Sequence, residues 1–349
     1  MAQPTVAVVI LSWNGWSFLE EFLPSVLQTT YPSARIIVAD NASTDGSVDL
    51  LRKHFPTVEV IALPENYGFA EGYNQALRQV EADYYVLLNQ DVAVEPGWIE
   101  PVVAAMEGDT TMAAAQPKLR AFHQRDHFEY AGAAGGFMDR FAYTFCRGRI
   151  FDTLEKDEGQ YDTPTDIFWA SGAAMFVRAE LFHQLGGLDG DFFAHMEEID
   201  LCWRMNEAGY TIQYVPESIV YHVGGGSLPQ GNPRKTFLNF RNNLVMAWKN
   251  WPGYALWWKW PLRLVLDGVA ALKALAARDF ATIGAIVKAH WTIFLHPNKW
   301  LSKRKPTRQL IEQHRIGPRN TKGYYKGWIV WAYFLGGKKK FSQLQKLHR

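Results

Sequence analysis

One run of residues near the start of the chain restricts the fold more than any other feature. Residues 6–11 read VAVVIL, a continuous apolar stretch in which most side chains are β-branched. Such a run is typical of a strand that is buried on both faces, as in a parallel sheet covered by helices. The run therefore predicts an α/β fold with this strand inside.

Strand-like and helical segments alternate after this run. Ser17 and Glu20 have the spacing of a capping box, and the apolar residues that follow recur at helical intervals. Alternation of this kind predicts βαβ units and a parallel sheet. The predicted strands are residues 35–39, 58–63 and 84–88, and the predicted helices are residues 47–54 and 69–80.

The rest of the chain follows a different pattern. Residues 120–168 are rich in loops, whereas residues 246–349 are aromatic, basic and predominantly helical. Gly209 follows a predicted helix at residues 197–208 and is expected to end it. Further strands are predicted at residues 112–116, 173–178, 212–215 and 219–222.

The formal net charge of +1 hides two oppositely charged parts. Residues 1–245 hold 16 Lys and Arg against 32 Asp and Glu, whereas residues 246–349 hold 20 against 3. Nine of the 14 tryptophans also lie after residue 245. This division predicts two domains, residues 1–245 and 246–349, with different partners.

Composition and cysteine content exclude several classes of protein. With 48% hydrophobic and 20% charged residues, the chain has the composition of a globular protein, not of a disordered or fibrous one. Cys146 and Cys202 are the two cysteines, and so few favour a reducing cytoplasm. The longest charge-free run, residues 1–19, lacks a basic start, and charges interrupt the apolar C-terminal stretch. We therefore expect neither a signal peptide nor a membrane-spanning helix, which needs about 20 mostly apolar residues.

Polar residues follow the predicted parallel strands, where open sheets of this class bind their ligands. Asn14, Asp40 and Asn89 lie just after three of these strands. Asp91 could hold a divalent cation, because Mg²⁺ and Mn²⁺ favour oxygen ligands, although an aspartate here also forms turns. Asp40 could accept a hydrogen bond from a nucleobase N–H, or it could form an Asx-turn between strand and helix.

Two further segments carry candidate binding residues. In the segment NYGFAEGYN, which runs from Asn66 to Asn74, Gly68 at a helix start would allow a phosphate or hydroxyl to approach the backbone. Packing of the helix on the sheet is the alternative reason for glycine here. His222 ends a predicted strand, where it could bind a metal, contact a phosphate or serve a structural role.

Three carboxylates crowd the start of one predicted helix. They are Glu197, Glu198 and Asp200, and Arg204 lies one turn after Asp200, within reach for pairing. Acidic residues are common at exposed helix N-termini because they complement the helix dipole. The aromatic residues around this turn indicate burial instead, which would raise a carboxylate pKa toward that of a useful base.

Together, in this order, seven segments resemble the inverting family 2 glycosyltransferases with the GT-A fold, most closely bacterial rhamnosyltransferase-like members. The resemblance covers residues 5–245. The segments are VAVVILSWNG, IIVADNASTDGS, ENYGFAEGYNQAL, YYVLLNQD, FWASGAAMFVRAELF, GGLDGDFFAHMEEIDLCWR and AGYTIQYVPESIVYHVGG.

The resemblance implies a doubly wound, mixed α/β sheet and a role for each matching residue. Glu198 stands where the family has its catalytic base, and Asp200 and Arg204 match residues that support it. Asp91 and His222 match the ligands of an Mg²⁺ or Mn²⁺ ion. The expected donor-binding residues are Asn14, Asp40, Asn66, Gly68, Asn74 and Asn89, with Asp40 on the nucleobase.

The implied reaction moves a sugar, rhamnose being the first candidate, from a dTDP- or UDP-sugar to a glycan or polyprenyl-linked acceptor. Two residues depart from the family pattern. Asn89 replaces the first aspartate of the D-x-D metal motif, and the base is Glu198 instead of an aspartate. These departures keep open a non-catalytic glycan- or lipid-binding protein on a transferase scaffold. A nucleotidyltransferase is a further alternative, although no Gly-rich, basic loop stands at the N-terminus.

The basic, tryptophan-rich residues 246–349 favour contact with an anionic membrane surface, since interfacial helices combine aromatic faces with Lys and Arg. Similar transferases act on lipid-linked acceptors at the cytoplasmic face of the inner membrane, so a peripheral location there is expected. Packing against the first domain is the main alternative. Nucleic-acid binding is the least favoured reading.

Overall fold

The computed structural model describes residues 3–224 and 231–344. Gly225, which ends the last matching segment, lies outside these ranges. The strands are β1 (Val6–Ser12), β2 (Ala34–Asp40), β3 (Glu59–Ala62), β4 (Tyr84–Asn89), β5 (Val92–Val94), β6 (Met112–Ala121), β7 (Gly136–Asp139), β8 (Thr144–Cys146), β9 (Arg149–Ile150), β10 (Thr153–Leu154), β11 (Thr165–Asp166), β12 (Ala174–Arg178), β13 (Thr211–His222) and β14 (Tyr324–Tyr325). The helices are α1 (Trp16–Val26), α2 (Ser47–His54), α3 (Gly68–Leu77), α4 (Glu100–Gly108), α5 (Ala179–Gln184), α6 (Glu197–Glu207), α7 (Pro233–Asn250), α8 (Gly253–Ala276), α9 (Phe280–Leu295), α10 (Pro297–Ser302), α11 (Arg304–Gln313) and α12 (Ile329–Phe334).

The main sheet has the strand order β11-β13-β6-β12-β4-β1-β2-β3, and β5 pairs with β13 beside it. β1 lies parallel to both β2 and β4, and β3 is parallel to β2. β12 is antiparallel to its two neighbours, β4 and β6. The sheet is therefore mixed, and the first four strands of the chain are parallel within it. The predicted α/β class is confirmed.

The first strand is buried on both faces, as its sequence predicts. Val6, Val8 and Ile10 pack into one apolar layer with helices α1 and α4, while Ala7 and Val9 join the layer that includes α3. Both faces of the strand exclude water, so its side chains need no polar alternation. Because β1 is parallel to β2 and β4, the carboxyl ends of these three buried strands lie at the same edge of the sheet.

The start of α1 differs from the prediction. The helix begins at Trp16 after Gly15, and no side chain of its own caps it, so the capping box at Ser17 and Glu20 is wrong. The backbone N–H of Trp16 instead donates to the Asp45 carboxylate, 3.2 Å away, in the loop after β2. A residue distant in sequence therefore satisfies the helix end.

The helical C-terminal region continues directly from the sheet domain. Helix α7 runs unbroken through the predicted boundary at residue 245. Residues from α7, α8 and α9, among them Leu244, Trp260 and Ile293, belong to the same apolar core as β1. β14 also pairs with β7, completing a small sheet of order β10-β9-β8-β7-β14 that occupies the loop-rich part.

In the described ranges, no helix is both long enough and apolar enough to cross a membrane.

Candidate active site

The polar residues that follow β1, β2 and β4 lie together at one edge of the sheet. The parallel register places Ser12 beside Asp40 and Leu11 beside Asn89. Asn14 links the first two loops, because its Oδ1 accepts a 2.8 Å hydrogen bond from the N–H of Thr44. The edge is therefore a connected polar surface.

Asp40 forms the Asx-turn that is one of its two predicted roles, and its second carboxylate oxygen is left without a partner among the described residues. Its Oδ2 accepts a 2.9 Å hydrogen bond from the N–H of Ser43, as in an Asx-turn. The side chain is 2% exposed, and Oδ1 is buried without a hydrogen-bond partner in the described part of the chain. An unpaired buried carboxylate oxygen is costly, so it is suited to accept a hydrogen bond from a ligand.

The predicted binding residues at the start of α3 hold the protein itself together. Asn66 accepts a 2.9 Å hydrogen bond from the N–H of Gly68. Gly68 has a φ of +75°, and the ring of Phe193 fills the space that a Cβ would need, so glycine is required there twice over. Asn74 exchanges two hydrogen bonds with the backbone of Leu188, at 2.8 and 2.9 Å, and so ties α3 to the segment before α6.

Asn89, Asp91 and His222 meet where β4 ends and β13 ends. His222 Nε2 lies 3.2 Å from Asp91 Oδ1 and 3.3 Å from Asn89 Nδ2. A carboxylate and an imidazole are a donor set that Mn²⁺ or Mg²⁺ accepts. Among the described residues, no group of three or more His, Cys, Asp or Glu could hold a metal. Asp91 and His222 would therefore be the two protein ligands available to such an ion in the described ranges.

A third side chain at this place is not predicted by the sequence. Glu129 is buried, and its Oε1 lies 3.3 Å from His222 Nδ1, the ring nitrogen away from Asp91. Burial lowers the pKa of His222, but Glu129 and Asp91 outweigh it and raise that pKa to about 10. Glu129 and Asp91 therefore hold the ring from opposite sides, and a metal ion at Nε2 would have to displace the proton there. Glu129 lies in the loop-rich segment, where no pattern distinguishes it.

The turn before α6 is strained. Phe193, His195 and Met196 all have positive φ values of 65°, 72° and 75°, which non-glycine residues rarely adopt. Asn242 on α7 is buried and holds this turn. Its Nδ2 donates to the carbonyls of Phe192, Ala194 and His195 at 2.9, 2.8 and 2.7 Å. Its sequence signal is weak: two adjacent asparagines inside a helix, where asparagine is a poor helix former.

This turn places two acidic residues at the start of α6. Burial raises the pKa of Glu198 to about 7, although backbone N–H groups, including that of Gly172, oppose the shift. Glu197 is almost wholly buried, and burial together with the charge of Glu198 raises its pKa as well. Glu198 is the more accessible of the two, and its Oε2 has no hydrogen-bond partner within the described ranges.

Short backbone links connect Glu198 with the end of β4. The Cγ of Glu198 lies 3.7 Å from the position that a Cβ of Gly172 would occupy. The next residue, Ala173, accepts a 3.0 Å hydrogen bond from the N–H of Asn89. Glu198 therefore lies against the residue that precedes the backbone partner of Asn89.

Asp200 and Arg204 pair as their spacing predicts, but both are buried and act on the scaffold. Arg204 Nη2 lies 3.0 Å from Asp200 Oδ2, and the same guanidinium donates to the carbonyls of Leu185 and Gly187. Asp200 also accepts a hydrogen bond from Lys249 on α7. The two side chains therefore position α6, which carries Glu198.

The model of the family described as glycosyl transferase family 2 matches residues 7–185, half of the chain. The chain belongs to glycosyl transferase family 2. This family 2 chain is 26% identical, over 284 residues, to N-acetylglucosaminyl-diphospho-decaprenol L-rhamnosyltransferase of Mycobacterium tuberculosis strain H37Rv. That match covers 76% of this chain and 91% of the relative. Rhamnosyltransferase WbbL of Escherichia coli K12 is 25% identical, with 62% of this chain and 83% of the relative covered.

Solved structures share the fold of the family 2 chain. The mannosyltransferase PcManGT from Pyrobaculum calidifontis, solved with GDP-Man and Mn²⁺, superposes with a TM-score of 0.51 at 15% identity over 90% of this chain and 88% of that one. GalNAc-T7, solved with UDP, GalNAc and Mn²⁺, gives 0.56 at 19% identity over 72% of this chain and 49% of that one. The fold is therefore GT-A, and the family 2 chain is a glycosyltransferase.

Proposed function

We propose that this enzyme transfers a sugar from a dTDP- or UDP-sugar to a hydroxyl of a polyprenyl-linked glycan, with inversion at the anomeric carbon. Glu198 is the general base in this proposal. The observation that carries it is the position of Glu198 at the start of α6, directly after the turn that Asn242 holds, with a buried Oε2 that has no hydrogen-bond partner in the described ranges. Its raised pKa suits a base that works near neutral pH.

The reaction follows from these residues. Glu198 removes the proton of the acceptor hydroxyl, and the oxygen forms a bond to the anomeric carbon while the bond from that carbon to the diphosphate breaks. Attack from the face opposite the diphosphate inverts the configuration. Asp91 and His222 would hold Mg²⁺ or Mn²⁺, which offsets the charge of the leaving diphosphate. Asp40 Oδ1 would accept a hydrogen bond from a nucleobase N–H.

The other predicted residues support the donor site in this proposal. Asn14 joins the loops on either side of the nucleotide position, and Asn66 and Gly68 shape the start of α3. Asn74 and Arg204 fix the segment between α5 and α6. Asn89, whose side chain lies 3.3 Å from His222, would stand next to Asp91 at the donor diphosphate.

The two rhamnosyltransferases support the choice of sugar and acceptor. One of them carries in its name both L-rhamnose and an acceptor linked through a diphosphate to decaprenol. We therefore place rhamnose first among donor sugars and a polyprenyl diphosphate sugar first among acceptors.

Contact with the cytoplasmic face of the membrane is the second part of the proposal. Tryptophans in the C-terminal region divide into two groups: Trp251 and Trp300 are buried in packing, whereas Trp257 is 86% and Trp291 is 58% exposed. Large exposed apolar patches rimmed by charge mark interaction surfaces. Other exposed apolar side chains of this region include Tyr254, Val265, Val269, Leu272, Leu275, Phe280, Val287, Phe294, Leu295, Trp331 and Leu335.

The test is a transfer assay with purified enzyme, a panel of dTDP- and UDP-sugars and a polyprenyl diphosphate N-acetylglucosamine acceptor, with Mn²⁺, with Mg²⁺ or with EDTA. We expect one donor to yield a product whose anomeric configuration, read by NMR, is opposite to that of the donor. Retained configuration would refute the mechanism. Binding of a donor without turnover would favour the non-catalytic alternative, and formation of a nucleotide sugar from a sugar phosphate would favour the nucleotidyltransferase.

A further inference from the structure

A groove of about 660 Å³ lies between helices α7 and α9 and is separate from the sheet edge that carries Asp40 and Asp91. One wall belongs to Phe193, in the strained turn before α6. The Phe193 carbonyl accepts hydrogen bonds from the N–H groups of Phe69 and Ala70 at the start of α3, at 2.7 and 3.1 Å. Phe193 therefore belongs both to the wall of the groove and to the turn that contacts the start of α3 in the candidate active site.

The floor of the groove is apolar and unusually open. Ala281, Gly284 and Ala285 follow one another along the α9 side, while Phe237 and Leu238 face them from α7. Such small residues leave room for an occupant, and a Cβ at Gly284 would meet nothing within 4 Å. The volume of the groove and its apolar lining suit a hydrocarbon chain.

Three cations border this apolar floor. Arg234 lies 4.8 Å from the ring centroid of Phe193, and Arg241 and Lys288 lie 5.4 and 5.0 Å from that of Phe237. Within the described ranges, none of the three forms a salt bridge with a carboxylate. Arg241 Nη2 donates to the backbone carbonyls of Asp191 and Phe192 at 2.9 and 2.8 Å, and the carboxylates of Asp189 and Asp191 pair with lysines.

The charge and polarity of the groove are complementary to one class of molecule. An apolar chain that ends in a diphosphate would place the chain on the small residues and the phosphates on the cations. We infer that this groove binds the diphosphate and the first isoprene units of the lipid-linked acceptor. The identity of the acceptor in this inference rests on the proposed function, whereas the location of its binding site rests on the lining of the groove.

The adjacent face of α9 gives such a lipid a route into the groove. Phe280, Val287 and Trp291 recur at helical spacing and are exposed, and they lie next to the face that lines the groove. An isoprenoid chain could therefore pass from the membrane surface into the groove without crossing water. Its diphosphate would then lie beside Phe193, on the side of the turn that leads to Glu198.

The test measures binding of geranylgeranyl diphosphate by calorimetry in EDTA, so that a metal-assisted diphosphate site does not contribute. Two variants probe the groove. Gly284→Phe fills it, and Arg234→Gln with Lys288→Gln removes two of its charges. The matched controls are Gly268→Phe, at an exposed glycine of α8 with equal free space, and Lys305→Gln with Arg308→Gln on exposed α11.

We expect both groove variants to weaken binding by at least about tenfold, while both controls bind like the wild type. Inorganic pyrophosphate and geranylgeraniol should each bind the wild type at least about tenfold more weakly than the diphosphate lipid. Unchanged binding in both groove variants, or pyrophosphate binding as tight as that of the lipid, overturns the inference. If both groove variants still transfer the sugar, the inference about the groove is wrong but the proposed function stands. If both variants lose lipid binding, the inference is supported even where no transfer activity is found.

Discussion

Lys249 on α7 donates a 2.7 Å hydrogen bond to Asp200 on α6, and both side chains are buried. The same ammonium lies 3.0 Å from Asp189, in the segment that leads into the strained turn. One lysine from the basic C-terminal part therefore joins two acidic residues of the sheet domain. The opposite charges of the two parts of the sequence meet here inside the protein.

Replacing Lys249 with methionine should destabilise the fold, because two buried carboxylates lose a cation. Each retains a second partner, Arg204 for Asp200 and Lys303 for Asp189, so we expect a loss of about 3 kcal/mol in the free energy of unfolding. Urea denaturation measures it. Lys53→Met, on the exposed face of α2, serves as the control and should change the value by less than about 0.5 kcal/mol. Equal stability of the two variants would contradict the role of Lys249.

Glu198→Gln should lower kcat by at least about 100-fold, since the amide cannot accept the acceptor proton. The dissociation constant of the donor, measured by calorimetry, should stay within about twofold because Glu198 acts on the acceptor. Glu197→Gln is the matched control at the next position, and it should retain most of the activity. If the control loses as much activity as Glu198→Gln, the base is wrongly assigned.

Activity should depend on pH through the same carboxylate. Burial raises the pKa of Glu198 to about 7, and only its charged form can act as the base. Protonation therefore removes activity as the pH falls through that value, and kcat/KM should drop about tenfold per pH unit below it. A profile recorded from pH 5 to 9 at saturating Mn²⁺, with donor binding measured in parallel, tests this. A flat profile would argue against Glu198.

Glu129→Gln should weaken Mn²⁺ binding by about 10- to 100-fold, because the neutral amide orients His222 less firmly. The free ion can be followed by electron paramagnetic resonance during titration. Glu158→Gln, an exposed residue of the same loop-rich segment, is the control and should leave the affinity unchanged. Equal affinities in both variants would mean that Glu129 does not support the metal site.

The enzyme should float with vesicles that contain anionic lipid and should float less well with neutral ones, since each basic residue near an anionic surface contributes about 1 kcal/mol. Salt at about 0.5 M should reduce the effect by screening. Trp257→Ser with Trp291→Ser should lower the bound fraction at least about tenfold. Trp13→Ser, at a tryptophan after β1 that is 53% exposed, is the control. Flotation that ignores both lipid charge and salt would contradict the surface proposal.

Local patterns predict the strands of the sheet well, because a strand that is buried on both faces consists of consecutive apolar residues. β1, α2 and α6 lie where the apolar runs and acidic helix start indicate. The two strands expected at residues 212–215 and 219–222 are one strand, β13, with an irregular register between Val215 and Ile219. The charge composition changes at residue 245, whereas helix α7 continues through this residue without a break. The distribution of charged residues along the sequence does not indicate where helices begin or end.

The supporting contacts of the site could not be predicted, since they join residues distant in sequence. Asp45 bonds the start of α1, Glu129 stands behind His222, and Asn242 holds the turn before α6. None of these residues belongs to a periodic pattern. The sequence predicts which side chains at the strand ends are candidates for the site. The residues that orient these side chains can be identified only from the folded structure.

The pairing of β14 with β7 has a consequence for how the enzyme is made. Tyr324 pairs with Met138, so the small sheet gains its fifth strand only after residues 324–325 have been synthesised. Domains usually fold in order of synthesis. Here β7 pairs with a strand that is made much later, so we expect the small sheet to be completed only after helices α7–α11, part of the region that we propose contacts the membrane, have been synthesised.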